Sequence, residues 1–291
     1  MFVTDNALSS AKKYMRDELQ QRFTESEIKH IIREVFIEVL PNHSNILSAP
    51  EVRLTESELL FVRSVVKRLK NDEPLQYVLG NTHFYGIDFN CDDRALIPRP
   101  ETAELVDWIV KDYQYAADVR VADICTGSGC IAISLVKHLT KVSCVGVDLS
   151  DSALELANEN SHKLGAKVQW LQSNVLQQGW EPKDWTSNSF DVWVSNPPYV
   201  ELSEQSEMSK SVLNYEPHLA LFAPTDNPLL FYIRIAQSAT FFLRSGGHIY
   251  FELNEFNAPN AKLLLEECGF VNIEMRKDLQ GKSRMIRAQK R

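Results

Sequence analysis

The sequence VADICTGSGCIAIS at residues 121–134 decides the fold class. An apolar segment runs into the turn Thr126-Gly127-Ser128-Gly129 and continues directly into a segment typical of a helix. Glycines let the backbone approach a ligand closely, and the start of a helix offers unpaired N–H groups. The turn also fits a dinucleotide-binding fingerprint. We therefore predict a strand, a ligand-binding turn and a helix, with the identity of the ligand still open.

Apolar segments alternate with helical patterns from this point to the C-terminus. We predict strands at residues 120–124, 143–148, 168–172, 190–195, 247–253, 271–276 and 283–287. We predict helices between them, notably at residues 131–139, 152–164, 229–243 and 259–268. This alternation predicts an α/β fold with a largely parallel sheet covered on both faces.

The N-terminal part of the chain, residues 7–71, has helical spacing instead. Two capping boxes mark helix starts, Thr24 with Glu27 and Thr55 with Glu58. One wide apolar face is formed by Ile28, Ile31, Ile32, Val35, Phe36 and Val39. We predict a small helical bundle at residues 1–73.

A change of composition marks the boundary between the two parts. Residues 74–95 are rich in β-branched and aromatic side chains and are punctuated by Gly80 and Gly86, which predicts a short β-hairpin linker. The catalytic domain is then expected at residues 96–291.

Composition and charge count against several classes of protein. The net charge of the 291 residues is -8 and the isoelectric point is about 5.5, so the excess of Lys and Arg typical of nucleic-acid-binding proteins is missing. We expect no stable nucleic-acid binding. Five cysteines without a CxxC pair favour a reduced, cytoplasmic protein, and no segment has eighteen consecutive apolar residues. We expect a monomer that does not associate with membranes.

Two further positions extend the predicted ligand site. Asp148 ends the second apolar segment, nineteen residues after Gly129, where a carboxylate can accept hydrogen bonds from both hydroxyls of a ribose. Its alternative role is to cap the following helix, for which Ser150 is better placed. Asn174 and Val175 follow the third segment, where the edge of the sheet could meet an adenine ring. These features suit NAD and S-adenosylmethionine equally.

The tetrad Asn196-Pro197-Pro198-Tyr199 follows the apolar segment FDVWVS, so it belongs at the same edge of the sheet. An amide nitrogen is a poor nucleophile because its lone pair is delocalised into the carbonyl. The side-chain oxygen of Asn196 and the carbonyl oxygen of Pro197 could accept hydrogen bonds from its two hydrogens. These hydrogen bonds become stronger as positive charge develops on the nitrogen during methyl transfer. Tyr199 would cover the flat face of the substrate group. We expect no metal, because the seven histidines show no metal-binding spacing.

The chain resembles the protein-(glutamine-N5) methyltransferases that modify peptide chain release factors. The resemblance covers nearly the whole chain and rests on PLQYVLG and HFYG, LIPRPET at residues 96–102, the glycine turn, Asp148, the tetrad, Tyr215-Glu216-Pro217, Gly246-Gly247 and DLQGKSR at residues 278–284. It implies a seven-stranded S-adenosylmethionine-dependent domain, preceded by a β-hairpin linker and a helical bundle that helps bind the release factor. The implied substrate is the glutamine of its Gly-Gly-Gln loop.

The resemblance also implies roles for individual residues. The cofactor would be bound by Cys125, Thr126, Gly127, Ser128, Gly129, Asp148, Asn174, Val175 and Asn196. The glutamine would be bound by Asn196, Pro197, Pro198 and Tyr199, with Arg99 and Glu101 shaping the pocket. Cys125 stands where the family usually has Gly, and Asn174 where Asp is common. The segment FELNEFN replaces a usual Glu-Ile-Gly-x-x-Gln pattern, so Asn254 and Asn257 receive no role.

Three alternatives remain open from the sequence. A methyltransferase of DNA adenine or ribosomal RNA guanine faces the same electronic problem and could use the same tetrad. An NAD-dependent oxidoreductase would explain the glycine turn but not the tetrad. A catalytically idle binding module would tolerate loss of Asn196.

Overall fold

The computed structural model describes residue 3 and residues 5–40, 52–223 and 227–291. The chain forms two compact units. The first comprises Met1–Gly80 with Lys210–Tyr215, and the second comprises Asn81–Ser209 with Glu216–Arg291.

The α-helices are α1 (Leu8–Leu19), α2 (Glu25–Val39), α3 (Glu56–Leu69), α4 (Leu75–Leu79), α5 (Pro100–Tyr113), α6 (Cys130–His138), α7 (Asp151–Leu164), α8 (Lys210–Tyr215), α9 (His218–Leu221), α10 (Leu230–Phe242) and α11 (Ala258–Glu267). The strands are β1 (Asn81–Phe84), β2 (Ile87–Asn90), β3 (Val119–Ile124), β4 (Val142–Asp148), β5 (Val168–Gln172), β6 (Phe190–Ser195), β7 (Leu243–Glu252), β8 (Val271–Lys277) and β9 (Ser283–Gln289). Two short 3₁₀ helices lie at Leu202–Glu207 and Glu255–Asn257.

The first unit is helical, as predicted. Both capping boxes are formed: the hydroxyls of Thr24 and Thr55 accept from the backbone three residues on, and the glutamates there accept in return. The apolar face of α2 is buried, apart from the partly buried Val39. This unit therefore has its own core, built from the helical periodicity of the sequence.

The β-hairpin is present and narrower than predicted. Strands β1 and β2 pair antiparallel, with Phe84 opposite Ile87. Tyr85 and Gly86 make the two-residue turn, and both have a positive φ, the conformation that matches the twist of a hairpin. The preceding part of the predicted hairpin segment forms α4, which ends at Gly80 in the left-handed conformation.

The second unit contains a seven-stranded sheet with the order β5-β4-β3-β6-β7-β9-β8. Strands β3 to β7 are parallel, and β9 pairs antiparallel with both β7 and β8. All seven predicted strands are confirmed. The chain moves outward from β3 through β4 to β5 and then returns to place β6 on the other side of β3. The carboxyl ends of β3 and β6 thus form the crevice where open α/β sheets bind ligands.

Both faces of the sheet are buried. Ala122 and Ile124 belong to one core cluster and Val119 and Val121 to another, as the alternation of side chains along a strand requires. All five cysteines are free, and three of them are buried. Within the described ranges, no helix has the length and apolar character needed to cross a membrane.

Candidate active site

The glycine turn connects β3 to α6. Its ends are held by backbone hydrogen bonds: Thr126 N donates to Val147 O (3.0 Å) and Gly129 N donates to Thr126 O (3.0 Å). Gly127 and Gly129 both have a positive φ, of 55° and 78°. A Cβ on Gly129 would lie 2.7 Å from the ring of Trp170, whereas a Cβ on Gly127 would meet open space. Gly129 is thus required for packing, and Gly127 leaves its side of the turn open to a ligand.

Asp123 anchors the turn from below. Its Oδ2 accepts from the hydroxyl of Thr126 (2.5 Å) and from Ala132 N (3.1 Å), so it joins the turn to the first turn of α6. Its Oδ1 has no hydrogen-bond partner among the described residues. Burial raises the pKa of this carboxyl to about 7. A role for Asp123 was not predicted from the sequence.

Asp148 lies at the end of β4, as predicted, and faces the glycine turn. Its Oδ2 accepts from Gly127 N (2.8 Å) and its Oδ1 from Ser150 N (2.9 Å). Ser150 itself caps α7, which leaves the carboxylate available for another role. Each carboxylate oxygen has a second lone pair, so both can still accept from ribose hydroxyls. Burial raises the pKa of the Asp148 carboxyl above its ordinary value.

One cavity of about 260 Å³ brings most of the predicted site residues together. Its lining includes Arg99, Cys125, Thr126, Gly127, Ser128, Asp148, Asn174, Val175, Asn196 and Pro198. Four of the predicted residues are not part of this lining: Glu101, Gly129, Pro197 and Tyr199. Gly129 lies behind the turn against Trp170, and Tyr199 points its hydroxyl toward β7.

The cavity fits an adenosine-bearing cofactor such as S-adenosylmethionine. The glycine turn and the carboxylate of Asp148 provide the polar side, and Val175, Leu176 and Phe231 provide an apolar side suited to a purine ring. Asn174 uses its Oδ1 to accept from Leu176 N (3.0 Å), which fixes the loop after β5 and leaves its Nδ2 as a donor.

The tetrad follows β6 and is tied to a neighbouring strand and to two helices. Ser195 Oγ donates to Ile124 O (2.5 Å), which holds the carboxyl end of β6 against that of β3. Asn196 Nδ2 donates to Thr102 Oγ1 (3.1 Å). Downstream, Val200 N donates to Leu221 O (3.0 Å). The tetrad is therefore fixed on both sides, with Asn196 at the cavity.

A buried carboxylate lies behind the tetrad. Glu252, the last residue of β7, accepts from Thr102 Oγ1 at Oε2 (2.5 Å) and from Tyr199 OH at Oε1 (3.1 Å). Burial raises the pKa of Glu252, and it also raises the pKa of Tyr199. Sequence reasoning missed Thr102 and Glu252. The available signal was a lone acidic residue at the carboxyl end of the apolar segment HIYFE, the same signal that identified Asp148.

Arg99 is held by a second buried carboxylate. Glu216 is 3% exposed, forms an ion pair with Arg99 Nη2 (2.5 Å) and accepts a hydrogen bond from Ile97 N (3.1 Å). Arg99 itself lines the cavity, as does the adjacent Pro98, so Glu216 shapes the wall through Arg99. Glu101 is not part of the cavity lining. Burial is the main cause of the raised pKa of Glu252, and the negative charge of Glu101 raises that pKa further.

Comparison with known proteins gives strong matches. Residues 102–215 match the family model described as methyltransferase small domain. The chain is 40% identical to the release factor glutamine methyltransferase of Flavobacterium psychrophilum over 91% of this chain and 93% of that protein. It is 38% identical to the release factor glutamine methyltransferase of Bacteroides thetaiotaomicron, over 94% of this chain and 97% of that protein.

A solved structure supports the fold. The 16S rRNA N2 G1207 methyltransferase of T. thermophilus, in complex with AdoMet and guanosine, aligns with a TM-score of 0.52. The alignment covers 72% of this chain and 50% of that chain, at 19% identity. At this identity the match supports the class of fold.

Proposed function

Because the chain belongs to the family of release factor glutamine methyltransferases, we propose that it methylates the side-chain amide nitrogen of the glutamine in the Gly-Gly-Gln loop of release factors. S-adenosylmethionine is the methyl donor. Methyltransferases of DNA adenine or ribosomal RNA guanine are not favoured, since the relatives matching nearly the full length of this chain act on release factors by name.

One observation carries the proposal: Asn196 lines the same cavity as Gly127 and Asp148. This supports a role for Asn196 as an acceptor of amide hydrogens beside a turn suited to a nucleoside. An NAD-dependent oxidoreductase would have no use for an amide acceptor at this position.

On the cofactor side, we assign binding to Cys125, Thr126, Gly127, Ser128, Asp148, Asn174, Val175 and Asn196, with Gly129 supporting the turn from behind. Asp148 would accept from the ribose hydroxyls, and Val175 would contact the purine. When bound, S-adenosylmethionine supplies an electrophilic methyl group on a positively charged sulfur.

On the substrate side, Asn196 and Pro197 would bind the two hydrogens of the glutamine nitrogen. Their oxygens bind more strongly as positive charge develops on that nitrogen, which stabilises the transition state more than the ground state. Pro198 and Tyr199 would restrict the orientation of the amide and exclude water. Arg99 shapes the surrounding wall and is held in place by Glu216, whereas Glu101, which is not part of the cavity lining, acts through its charge on Glu252.

We also propose the division of labour along the chain. The helical bundle at residues 1–73 contributes to binding the release factor, residues 74–95 form the linker, and residues 96–291 carry out methyl transfer. The enzyme would act in the cytoplasm, where release factors work, as a monomer and without stable binding to nucleic acids or membranes.

The test is to incubate the purified protein with methyl-labelled S-adenosylmethionine and one of four acceptors. The acceptors are a release factor, its loop variant with Ala in place of Gln, total RNA and DNA. We expect label on the loop glutamine and none on the other three. Label on nucleic acid would overturn the choice of substrate, and absence of label from every acceptor would favour a binding module.

A further inference from the structure

We propose that Glu252 and Thr102 are positioning residues that orient the Asn196 amide, so that its oxygen faces the substrate. This inference rests on the proposed function and deepens it. The three side chains form a hydrogen-bond chain from the buried end of β7, through α5, to the cavity. Thr102 is part of the cavity lining and Glu252 lies behind it, and the proposed role of each is to act on the substrate through Asn196.

The number of available protons sets the direction of the chain. An ionised carboxylate can only accept, so Glu252 requires the hydroxyl proton of Thr102. The Thr102 oxygen, having used its one proton, can only accept from Asn196. Asn196 must then present Nδ2 to Thr102 (3.1 Å), which leaves Oδ1 for the cavity. With Glu252 ionised, the orientation of the Asn196 amide therefore follows from the donor and acceptor counts alone.

A protonated Glu252 would remove this constraint. Its proton could be donated toward Thr102, whose hydroxyl could then donate to Asn196 Oδ1 and turn the Nδ2 group toward the substrate. The Nδ2 group of Asn196 and the substrate nitrogen would then face each other as two donors, because both carry hydrogens. Ionised Glu252 thus corresponds to the active arrangement.

The surroundings of Glu252 bear on its ionisation. Burial raises its pKa, whereas hydrogen bonds from Thr102 and Tyr199 and the charge of Arg284 on β9 oppose that shift. Glu101 on α5 raises the pKa further. From α10, the hydroxyl of Tyr232 donates to the backbone oxygen of Glu252 (3.0 Å) and leaves its carboxylate to the two other donors.

The first test compares Thr102→Val, Thr102→Ser and Glu252→Gln in the full chain with release factor as substrate. Val removes the hydroxyl at similar volume, and Gln at position 252 could donate to Thr102 and reverse the chain. We expect Thr102→Val and Glu252→Gln each to lower kcat by about 10- to 100-fold. The kcat of Thr102→Ser should stay within about threefold of wild type. KM and the Kd of S-adenosylmethionine should also stay within about threefold in all three variants.

Combining the changes separates positioning from general loss of stability. If both residues act through one chain, the double variant Thr102→Val with Glu252→Gln should lose no more activity than the worse single variant. Additive losses, or a Thr102→Ser variant as impaired as Thr102→Val, would overturn the proposal. Thermal unfolding of each variant identifies losses that come from unfolding.

Two further readouts follow ionisation itself. The wild-type kcat should fall on the acid side as Glu252 becomes protonated, and Glu252→Gln should lack this limb. The carboxyl infrared bands of Glu252, assigned by difference against Glu252→Gln, need no substrate. A protonated carboxyl at neutral pH would overturn the inference even if release-factor methylation is observed. Absence of label on the loop glutamine with an ionised Glu252 would instead count against the proposed function alone.

Discussion

The cofactor side and the substrate side of the cavity are built differently. The glycine turn is held by backbone geometry and two carboxylates: Gly127 N donates to Asp148, and Asp123 joins residues within nine positions of itself. At the tetrad, the side chain of Asn196 is held by Thr102, 94 residues away, and Thr102 by Glu252, 150 residues away.

This difference affects how each side should respond to mutation. A site built from backbone tolerates changes of side chain but not of backbone conformation. A site built from a chain of side-chain hydrogen bonds depends on every member of that chain, because one missing partner leaves a buried polar group unsatisfied.

The largest effect is expected at the substrate side, for Asn196→Ala. Removing an acceptor used in the transition state should lower kcat by about 10²- to 10³-fold, as the loss of a comparable stabilising group does in other enzymes. The Kd of S-adenosylmethionine should change far less. Single-turnover methylation and calorimetric titration measure the two quantities.

The matched control for this variant is Asn158→Ala on the exposed face of α7. It should retain wild-type turnover and cofactor affinity. An Asn196→Ala enzyme with normal turnover would contradict the role of the tetrad, and an equal loss of cofactor affinity would place Asn196 mainly on the cofactor side.

On the cofactor side, two glycines should fail in different ways. Gly129→Ala combines a positive φ of 78° with a contact 2.7 Å from Trp170, so we expect a loss of about 2–4 kcal/mol of unfolding free energy. Gly127→Ala meets no protein atom, so stability should fall by only about 1–2 kcal/mol.

The added methyl group of Gly127→Ala occupies space at the cavity, and cofactor affinity should fall about tenfold or more, equivalent to about 1.4 kcal/mol. Chemical denaturation and cofactor titration of both variants separate the effects. Equal destabilisation by both substitutions would show that the turn is not open on the side of Gly127.

The two sides also differ in how far the sequence predicts them. The glycine turn, Asp148 and the tetrad follow strands whose apolar pattern is plain, and parallel strands bring their carboxyl ends to one edge. The seven strands and the two capping boxes were predictable for the same reason, since they depend on local periodicity.

The partners of Asn196 were not predictable in this way. Thr102 lies in the first turn of a helix and Glu252 ends a strand, and no local pattern indicates that they meet. Their contact depends on the position of β7 beside β6 and on the packing of α5 against the sheet. Tyr199 shows the same limit. Its role beside the substrate was predicted from its place in the tetrad, but the hydrogen bond from its hydroxyl to Glu252 was not predicted.

A smaller, pH-dependent effect should arise from Asp123 under the glycine turn. Its pKa in the folded protein is about 7, above the value of about 3.9 for an unfolded chain, so the native state binds more protons between these values. The stability that the protonated carboxyl contributes is present below about pH 4 and is lost as the pH rises toward 7.

Asp123→Asn should remove this slope while keeping an oxygen acceptor for Thr126 and Ala132. We expect the difference in slope to amount to about 1–3 kcal/mol of unfolding free energy between pH 4 and pH 8. Denaturation curves across this range measure it. Parallel curves for the two proteins would contradict the proposed burial of a protonated carboxyl.

The smallest effect is expected for Cys125→Gly, which tests whether the turn is controlled by backbone conformation alone. Cys125 has a φ of 60°, which costs a non-glycine residue about 1–2 kcal/mol, and Gly relieves this strain. Gly also gains about 0.5–1 kcal/mol of entropy in the unfolded chain and loses the packing of the thiol against the core. These terms oppose each other, so stability should change by less than about 1 kcal/mol, and the Kd of S-adenosylmethionine by less than about threefold.

Cys125→Val provides the contrast, because a β-branched residue is a poor fit at this φ and should destabilise the protein measurably. If Cys125→Gly instead weakens cofactor binding about tenfold, the thiol itself contacts the ligand, and the cofactor side depends on a side chain just as the substrate side does.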